Sequence, residues 1–268
     1  FAPHFPHTVR KTETKQCSDC HLSEANDNNA VMSQLLLLGT NFVNFVGLNS
    51  WFGLEGGFEA VRVERVLRVG PATDGCLKVK VTALEADRAW HYRFVLADAD
   101  GSARTSHAGR TRTAPAPGTD RDLRFAVMSC QDFTGRWYNT LLPLLDDPPD
   151  LLLHLGDFIY ETAGDPGFQS RDGARVVAFE DEAGALPLGR DDARYFAARS
   201  LDNYRQLHRQ YRTDPVLQKL LERAPLIAIW DDHEFADDSW QDVATFHDGR
   251  RDERDAARRR AASQAWFE

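Results

Sequence analysis

Apolar residues recur along this chain with different periods, and each period marks off a stretch of its own. Between Phe58 and Thr113 they alternate with polar neighbours, at Val61, Val63 and Val66, then at Leu77, Val79 and Val81, then at Trp90, Tyr92 and Phe94. A period of two turns one face of each strand inward, so the spacing predicts the strands of a small β-sandwich. The segment TAPAPGTDRD (113–122) has no apolar period and carries Pro and Gly, the composition of a boundary between separately packed units. Beyond it, LRFAVMS (123–129) reads as a strand, RWYNTLLPLL (136–145) as a short helix, and PDLLLHLGD (149–157) as a nearly continuous apolar strand of the kind buried in a parallel sheet. That is a βαβ core. A polar excursion rich in Gly and Asp runs from Thr162 to Asp192. Helical spacing follows in YFAARSLDNYRQLHRQY (195–211) and in PVLQKLLERA (215–224), with Asp214 placed to cap the helix that Pro215 opens. A third apolar strand, PLIAIW (225–230), leads through DDHEFADDSW into a charged helix, RRDERDAARRRAASQAWF (250–267).

Composition narrows the class. The chain has 268 residues, 42% of them hydrophobic, enough to bury a core. Its 32 basic and 41 acidic residues leave a net charge of −9, which argues against a general affinity for nucleic acid or anionic lipid and suits metal cations. No charge falls between Asn29 and Leu54, and LLLL occupies 35–38, but Ser33, Gln34, Thr40, Asn41, Asn44, Asn49 and Ser50 interrupt the run. A partly buried helix or hairpin is expected there in preference to a membrane span. The chain opens without an initiator Met, a basic n-region or a cleavage site, so Phe1 reads as an internal or processed start. Four cysteines give no disulfide framework: Cys17 and Cys20 share one motif, Cys76 reads as a core residue, and Cys130 stands alone at a strand end.

The chemistry gathers at the ends of the three apolar strands. Ser129-Cys130-Gln131-Asp132 follows the first, Gly156-Asp157-Phe158-Ile159-Tyr160-Glu161 the second, and Asp231-Asp232-His233-Glu234 the third. In open α/β sheets, sites form outside the carboxyl ends of the strands, so these groups are expected to converge. A phosphoester repels nucleophiles with its own negative charge; paired cations neutralise that charge and lower the pKa of a bound water. A carboxylate that bridges two cations is needed, and Asp157, after a Gly that lets the backbone turn sharply, is the candidate. A phenolate from Tyr160 and a thiolate from Cys130 would both favour ferric iron. Glu161 and Glu234 read equally as supporting or as catalytic groups, His154 as a satisfied core histidine, and the Arg-rich run at 250–260 as a solvated, self-paired helix face.

The pattern GDxxY followed by a [N/D]H pair resembles the metallophosphoesterase superfamily, and the fuller set SCQD, LHLGDFIYE, YRTDPVLQ and WDDHEF resembles the alkaline phosphatase D family. The likeness covers 122–268 as the first half of that family's catalytic domain, and 58–114, through LKVKVTALEADRAWHYRF and GRTRTAP, as an incomplete immunoglobulin-like β-domain. The fold implied is α/β, a partial metallophosphoesterase sandwich with a parallel-strand βαβ core behind that β-domain. The resemblance implies iron (Fe3+) held by Cys130, Asp157 and Tyr160, calcium held through Asp132, Asp157 and the Asp231/Asp232 pair, and His233 beside the phosphate to stabilise or protonate the leaving oxygen. The activity implied is hydrolysis of phosphate monoesters or diesters, with a small phosphoester as substrate and no protein partner. The family pattern continues past Glu268 to a GDxH-like motif that completes the metal shell, so the site is expected to be incomplete and an apolar sheet face exposed. Asp237 and Asp238 stand where the family often has asparagines.

Residues 1–57 form a separate N-terminal segment. Within it Cys17-Ser18-Asp19-Cys20-His21 has the CxxCH form that attaches c-type haem through two thioethers and an axial histidine, and His4 and His7 resemble the extra ligands of multihaem cytochromes. Zinc would need a second ligand pair, which only His4 and His7 could supply, and an unstructured leader is the plainer alternative. Three functions therefore stand side by side: a phosphoesterase, a haem-binding electron-transfer protein, and an inactive fragment. Covalent haem and an iron–calcium centre both point to a periplasmic or extracellular protein.

Overall fold

A computed structural model of the protein describes residues 43–46, 70–97, 102–167, 175–190, 193–244 and 253–268. They fall into two units, one comprising the described residues up to Arg124 together with Glu222–Pro225, the other Phe125–Leu221 and Leu226–Glu268. In the first unit, β1 (Val43–Val46) pairs with β2 (Cys76–Val79), β3 (Ala89–Tyr92) with β6 (Gly109–Arg112), and β4 (Val95–Ala97) with β5 (Ala103–Thr105), every pair antiparallel. The single strand expected over Trp90, Tyr92 and Phe94 is thus divided between β3 and β4. Across that break the Phe94 amide donates to Ser106 Oγ at 2.9 Å, where a continuous strand would bond a partner backbone. The alternation at Val61, Val63 and Val66 lies outside the described residues, as does the CxxCH segment with Cys17, Cys20 and His21.

The second unit is built on β7 (Phe125–Met128), β8 (Leu151–His154) and β12 (Leu226–Ala228), a parallel sheet in the order β12-β8-β7. The three apolar runs predicted as strands all pair here. One face is closed: Leu152 and His154 are fully buried. The other face is open at β7, where Phe125 and Val127 are 54% and 56% exposed, in line with the apolar sheet face expected to be exposed.

Between β7 and β8 the expected helix over 136–145 is broken into a 3-10 turn (Asn139–Leu141) and α1 (Pro143–Asp146). Pro143 has no N–H to continue the ladder and instead opens a new turn. The polar excursion is not a simple loop. It supplies β9 (Thr162–Ala163) and β10 (Leu186–Leu188), which flank β11 (Tyr195–Ala197) in an antiparallel sheet of order β10-β11-β9. The helix expected over 195–211 therefore starts late, as α2 (Leu201–Tyr211). Ser200 Oγ accepts the Asn203 amide while Asn203 Oδ1 accepts the Ser200 amide, a reciprocal cap that fixes the start. Asp214 caps α3 (Pro215–Leu221) as predicted, accepting the amides of Val216 and Leu217 at 2.9 Å each. Beyond β12 a short antiparallel pair, β13 (Val243–Ala244) and β14 (Glu253–Arg254), precedes α4 (Ala256–Phe267).

The core joins Phe158, Ile159, Tyr204, Leu207, Leu217 and Phe235, so the residues that flank the metal-binding motifs are themselves core residues. The Arg-rich run keeps the solvated, paired face expected of it at Arg254, which meets Asp242 at 2.8 Å, and departs from it at Arg258. Arg258 is buried, its Nε donating to the Ala198 carbonyl at 2.7 Å and to Tyr204 Oη at 3.0 Å, and it carries α4 onto the chain between β11 and α2. Among the described residues no helix is long and apolar enough to cross a membrane.

Candidate metal centre

The ladder of the parallel sheet runs on past the strands and brings the three motifs together. The Leu155 amide donates to the Met128 carbonyl at 2.8 Å and the Ile229 amide to the His154 carbonyl at 2.9 Å. The Cys130 and Gln131 amides then donate to the carbonyls of Gly156 (3.1 Å) and Asp157 (3.0 Å). At this point the chain turns: Cys130 and Asp157 both have φ of +56°, and Gly156 has +107°. Left-handed backbone at a residue other than Gly costs about 1–3 kcal/mol and persists only where its surroundings impose it. Here the two residues concerned are candidate ligands. Gly156 has no alternative, because a Cβ on it would lie 2.4 Å from the Asp231 Cβ and 2.5 Å from the Asp231 amide nitrogen.

The side chains follow from these turns. Cys130 Sγ points at Asp157 Oδ2 at 3.3 Å. The other carboxylate oxygen, Asp157 Oδ1, is buried and has no hydrogen-bond partner among the described residues. Ligand atoms of Asp157, Asp232 and His233 lie within 4.8 Å of one another, and those of Asp232, Asp237 and Asp238 form a second such group. The Tyr160 ring rests on the His233 imidazole with centroids 4.2 Å apart. Of the site residues read from the sequence, the ligands Asp157 and Asp232 and the catalytic candidate His233 therefore meet directly, while Cys130 and Tyr160 join them through Asp157 and His233. Asp231 meets the same place through its backbone, against Gly156. Asp132 stands outside both groups: its Oδ1 accepts from the amide and hydroxyl of Thr134 at 2.9 and 2.8 Å, and its Oδ2 from the Gly135 amide at 3.2 Å.

Two buried acids that the sequence left undecided turn out to be supports. Glu234 accepts three backbone amides, and Glu161 holds His233 Nδ1 at 2.8 Å and the Asp237 amide at 2.9 Å. A third support, Arg175, lay hidden in the polar excursion. It is buried, donates to the Phe133 carbonyl at 2.7 Å and pairs with Asp214, and so steadies the loop after Asp132. No local pattern marks it. His154 is only half satisfied, since Nδ1 accepts the Gly156 amide at 3.3 Å while Nε2 has no hydrogen-bond partner among the described residues.

The electrostatics are those of a site short of positive charge. Burial, opposed by the His233 charge, raises the Asp157 carboxyl above its usual range. For Tyr160, burial and the nearby Asp157 charge push the phenol up. The Cys130 thiol is lowered by Ser129 but raised overall by burial and by Asp157. His233 goes the other way: burial pulls it down, yet Glu161, Asp157 and Asp232 hold it at about 9. A cation beside Asp157 would relieve each of the first three at once, and the orphaned Oδ1 has the chemistry to bind one. The residues present fit a metal ion.

Residues 125–268 match the PhoD-like phosphatase family, and residues 53–115 match the N-terminal domain of PhoD-like phosphatases. The chain belongs to the PhoD-like phosphatase family. Alkaline phosphatase D of Bacillus subtilis (strain 168) is 30% identical over 203 residues, covering 74% of this chain and 30% of that protein. A solved structure described as that of PhoD superposes with a TM-score of 0.62 at 25% identity, over 85% of this chain and 38% of the other. The chain thus spans about a third of the length of these relatives.

Proposed function

We propose that this chain carries one side of the metal site of a phosphoric ester hydrolase, acting on small phosphate monoesters or diesters. The observation that carries this reading is the buried, unpartnered Asp157 Oδ1, set beside the Cys130 thiol and within reach of Asp232 and His233. Cys130, Asp157 and Tyr160 would hold ferric iron, a choice supported by the thiolate and phenolate donors. Calcium would be held by Asp157 with Asp231 and Asp232, oxygen donors suited to a hard cation; Asp132 would join them only by giving up its bonds to Thr134 and Gly135. Such cations neutralise the phosphoryl oxygens and lower the pKa of a water. The protein's own part is positional. His233 has Nδ1 engaged by Glu161, which leaves Nε2, 3.5 Å from Asp237 Oδ1, as the ring atom that gives a proton to the leaving oxygen. The paired antiparallel strands of the first unit support its reading as an incomplete immunoglobulin-like β-domain, and ferric iron with calcium accords with a periplasmic or extracellular place.

Metal analysis of the purified chain, with hydrolysis of a chromogenic phosphodiester by the parent and by Asp157→Ala, tests the proposal. Iron and calcium in the parent, with hydrolysis abolished in the variant, are expected. Unchanged hydrolysis by Asp157→Ala, or haem without iron and calcium, would overturn it.

A further inference from the structure

Glu234 is 3% exposed, and its side chain spends its hydrogen-bonding capacity on the backbones of two different loops. Oε2 accepts the Asp157 amide at 3.1 Å and the Asp231 amide at 2.7 Å, and Oε1 accepts the Phe158 amide at 2.6 Å. The loop after β8 and the loop after β12 are thereby tied to one carboxylate, although Asp157 and Glu234 are 77 residues apart in sequence. Glu234 is itself held in place, because the Phe235 and Ala236 amides both donate to the Asp232 carbonyl at 2.8 Å. The tie falls where the two backbones touch, since the Asp231 Cβ and amide occupy the space a side chain on Gly156 would need. It also falls on the left-handed Asp157, whose φ of +56° has to be imposed from outside.

We propose that Glu234 is a positioning residue: a buried carboxylate clip that fixes the Asp157 loop against the Asp231–His233 loop and so sets the spacing between the ligands contributed by the two strand ends. The inference rests on the reading of this site as a metal centre. Glu234 is not itself a ligand, because both of its oxygens are already directed at backbone amides. Three amide donors converging on one carboxylate make charge-assisted bonds, stronger than those to a neutral acceptor. An amide side chain in its place keeps one acceptor oxygen for the Asp157 and Asp231 amides but sets its NH2 against the Phe158 amide. An aspartate keeps the charge and falls one methylene short.

Calorimetric titration of the metal-free chain with calcium and with ferric iron supplied as a weak chelate, for the parent, Glu234→Gln and Glu234→Asp, tests the clip, with amide hydrogen exchange recorded on the same samples. Both variants are expected to lose metal affinity by about 10–100-fold, the usual effect of removing a group that orients ligands. Protection should fall at the amides of Asp157, Phe158 and Asp231 and stay at parental level in α2, which separates positioning from general destabilisation. Parental affinity in both variants would overturn the clip and leave the metal centre standing. Protection lost evenly across the sheet and α2 would overturn it too, as the mark of a merely structural residue. A parent chain that takes up neither metal would overturn the metal reading and the clip with it.

Discussion

Glu161 Oε2 lies 2.8 Å from Nδ1 of His233, while Glu161 Oε1 accepts the amide of Asp237 at 2.9 Å, so one buried carboxylate fixes both the imidazole and the backbone four residues beyond it. The ring is thereby aimed and kept charged. Glu161→Gln keeps the shape but removes the charge that stabilises the imidazolium. Turnover by the metal-loaded protein is expected to fall about 10–100-fold with KM little changed. Steady-state kinetics on a chromogenic phosphodiester check it, and an equal loss through KM alone would show that the carboxylate acts on binding instead.

Gly156→Ala and Gly164→Ala should differ sharply, although both glycines have positive φ, +107° and +82°. At Gly164 the nearest atom to an added Cβ is 3.8 Å away, so the cost is conformational alone, about 1 kcal/mol. At Gly156 the added atom meets Asp231 at 2.4 Å. The two loops must part, and a loss of more than about 3 kcal/mol is expected, with loss of metal binding. Urea denaturation of the two variants decides the matter.

Arg258→Ala removes a buried guanidinium and leaves the Ala198 carbonyl without that donor. Unsatisfied buried acceptors and the emptied volume together should cost about 3 kcal/mol. Arg258→Lys should recover only part of this, since one ammonium cannot match the planar group whose Nε meets Ala198 and Tyr204 while its Nη2 meets the Phe235 carbonyl. Denaturant midpoints for the parent and the two variants measure both effects.

Acid should weaken the second unit through His154. Burial chiefly, with a contribution from the Arg212 charge, lowers its pKa to about 4, so it is neutral in the folded chain and accepts the Gly156 amide through Nδ1. The unfolded chain takes up a proton below about pH 6.5 and the folded chain does not, so stability is full above that pH and declines as pH falls towards 4, by on the order of 2–3 kcal/mol. His154→Asn supplies an acceptor that does not titrate. Its unfolding free energy should fall less between pH 7 and pH 4.5 than that of the parent, by urea titration at each pH.

The parallel sheet and the convergence of its strand ends were legible in the sequence because apolar runs such as Leu151–Leu153 and motif residues such as Asp157 are local signals. The reciprocal cap at Ser200 and Asn203 was also written locally, yet the helical spacing from Tyr195 masked it, since β11 finds its partners in the polar excursion. Arg175 and Arg258 were illegible for a different reason: a buried arginine is recognised by the carbonyls it meets, Phe133 and Ala198, and those lie 42 and 60 residues away. Glu234 sits between these cases. Its place in the third motif drew notice, but its role depends on amides of a strand end that only the fold brings near.

The central strand β8 has neighbours made long before and long after it, and the bond from the Asp157 amide to Glu234 spans 77 residues. At about 5–20 residues per second, synthesis needs roughly 4–15 s to cover that interval. Through those seconds Asp157 has no clip to hold its left-handed turn, and Cys130 has no third strand end beside it. A cation offered early meets separate ligands; offered after Glu234 has been made, it meets a site. The loops after β8 and β12 can therefore be joined only once the whole stretch between them has been made.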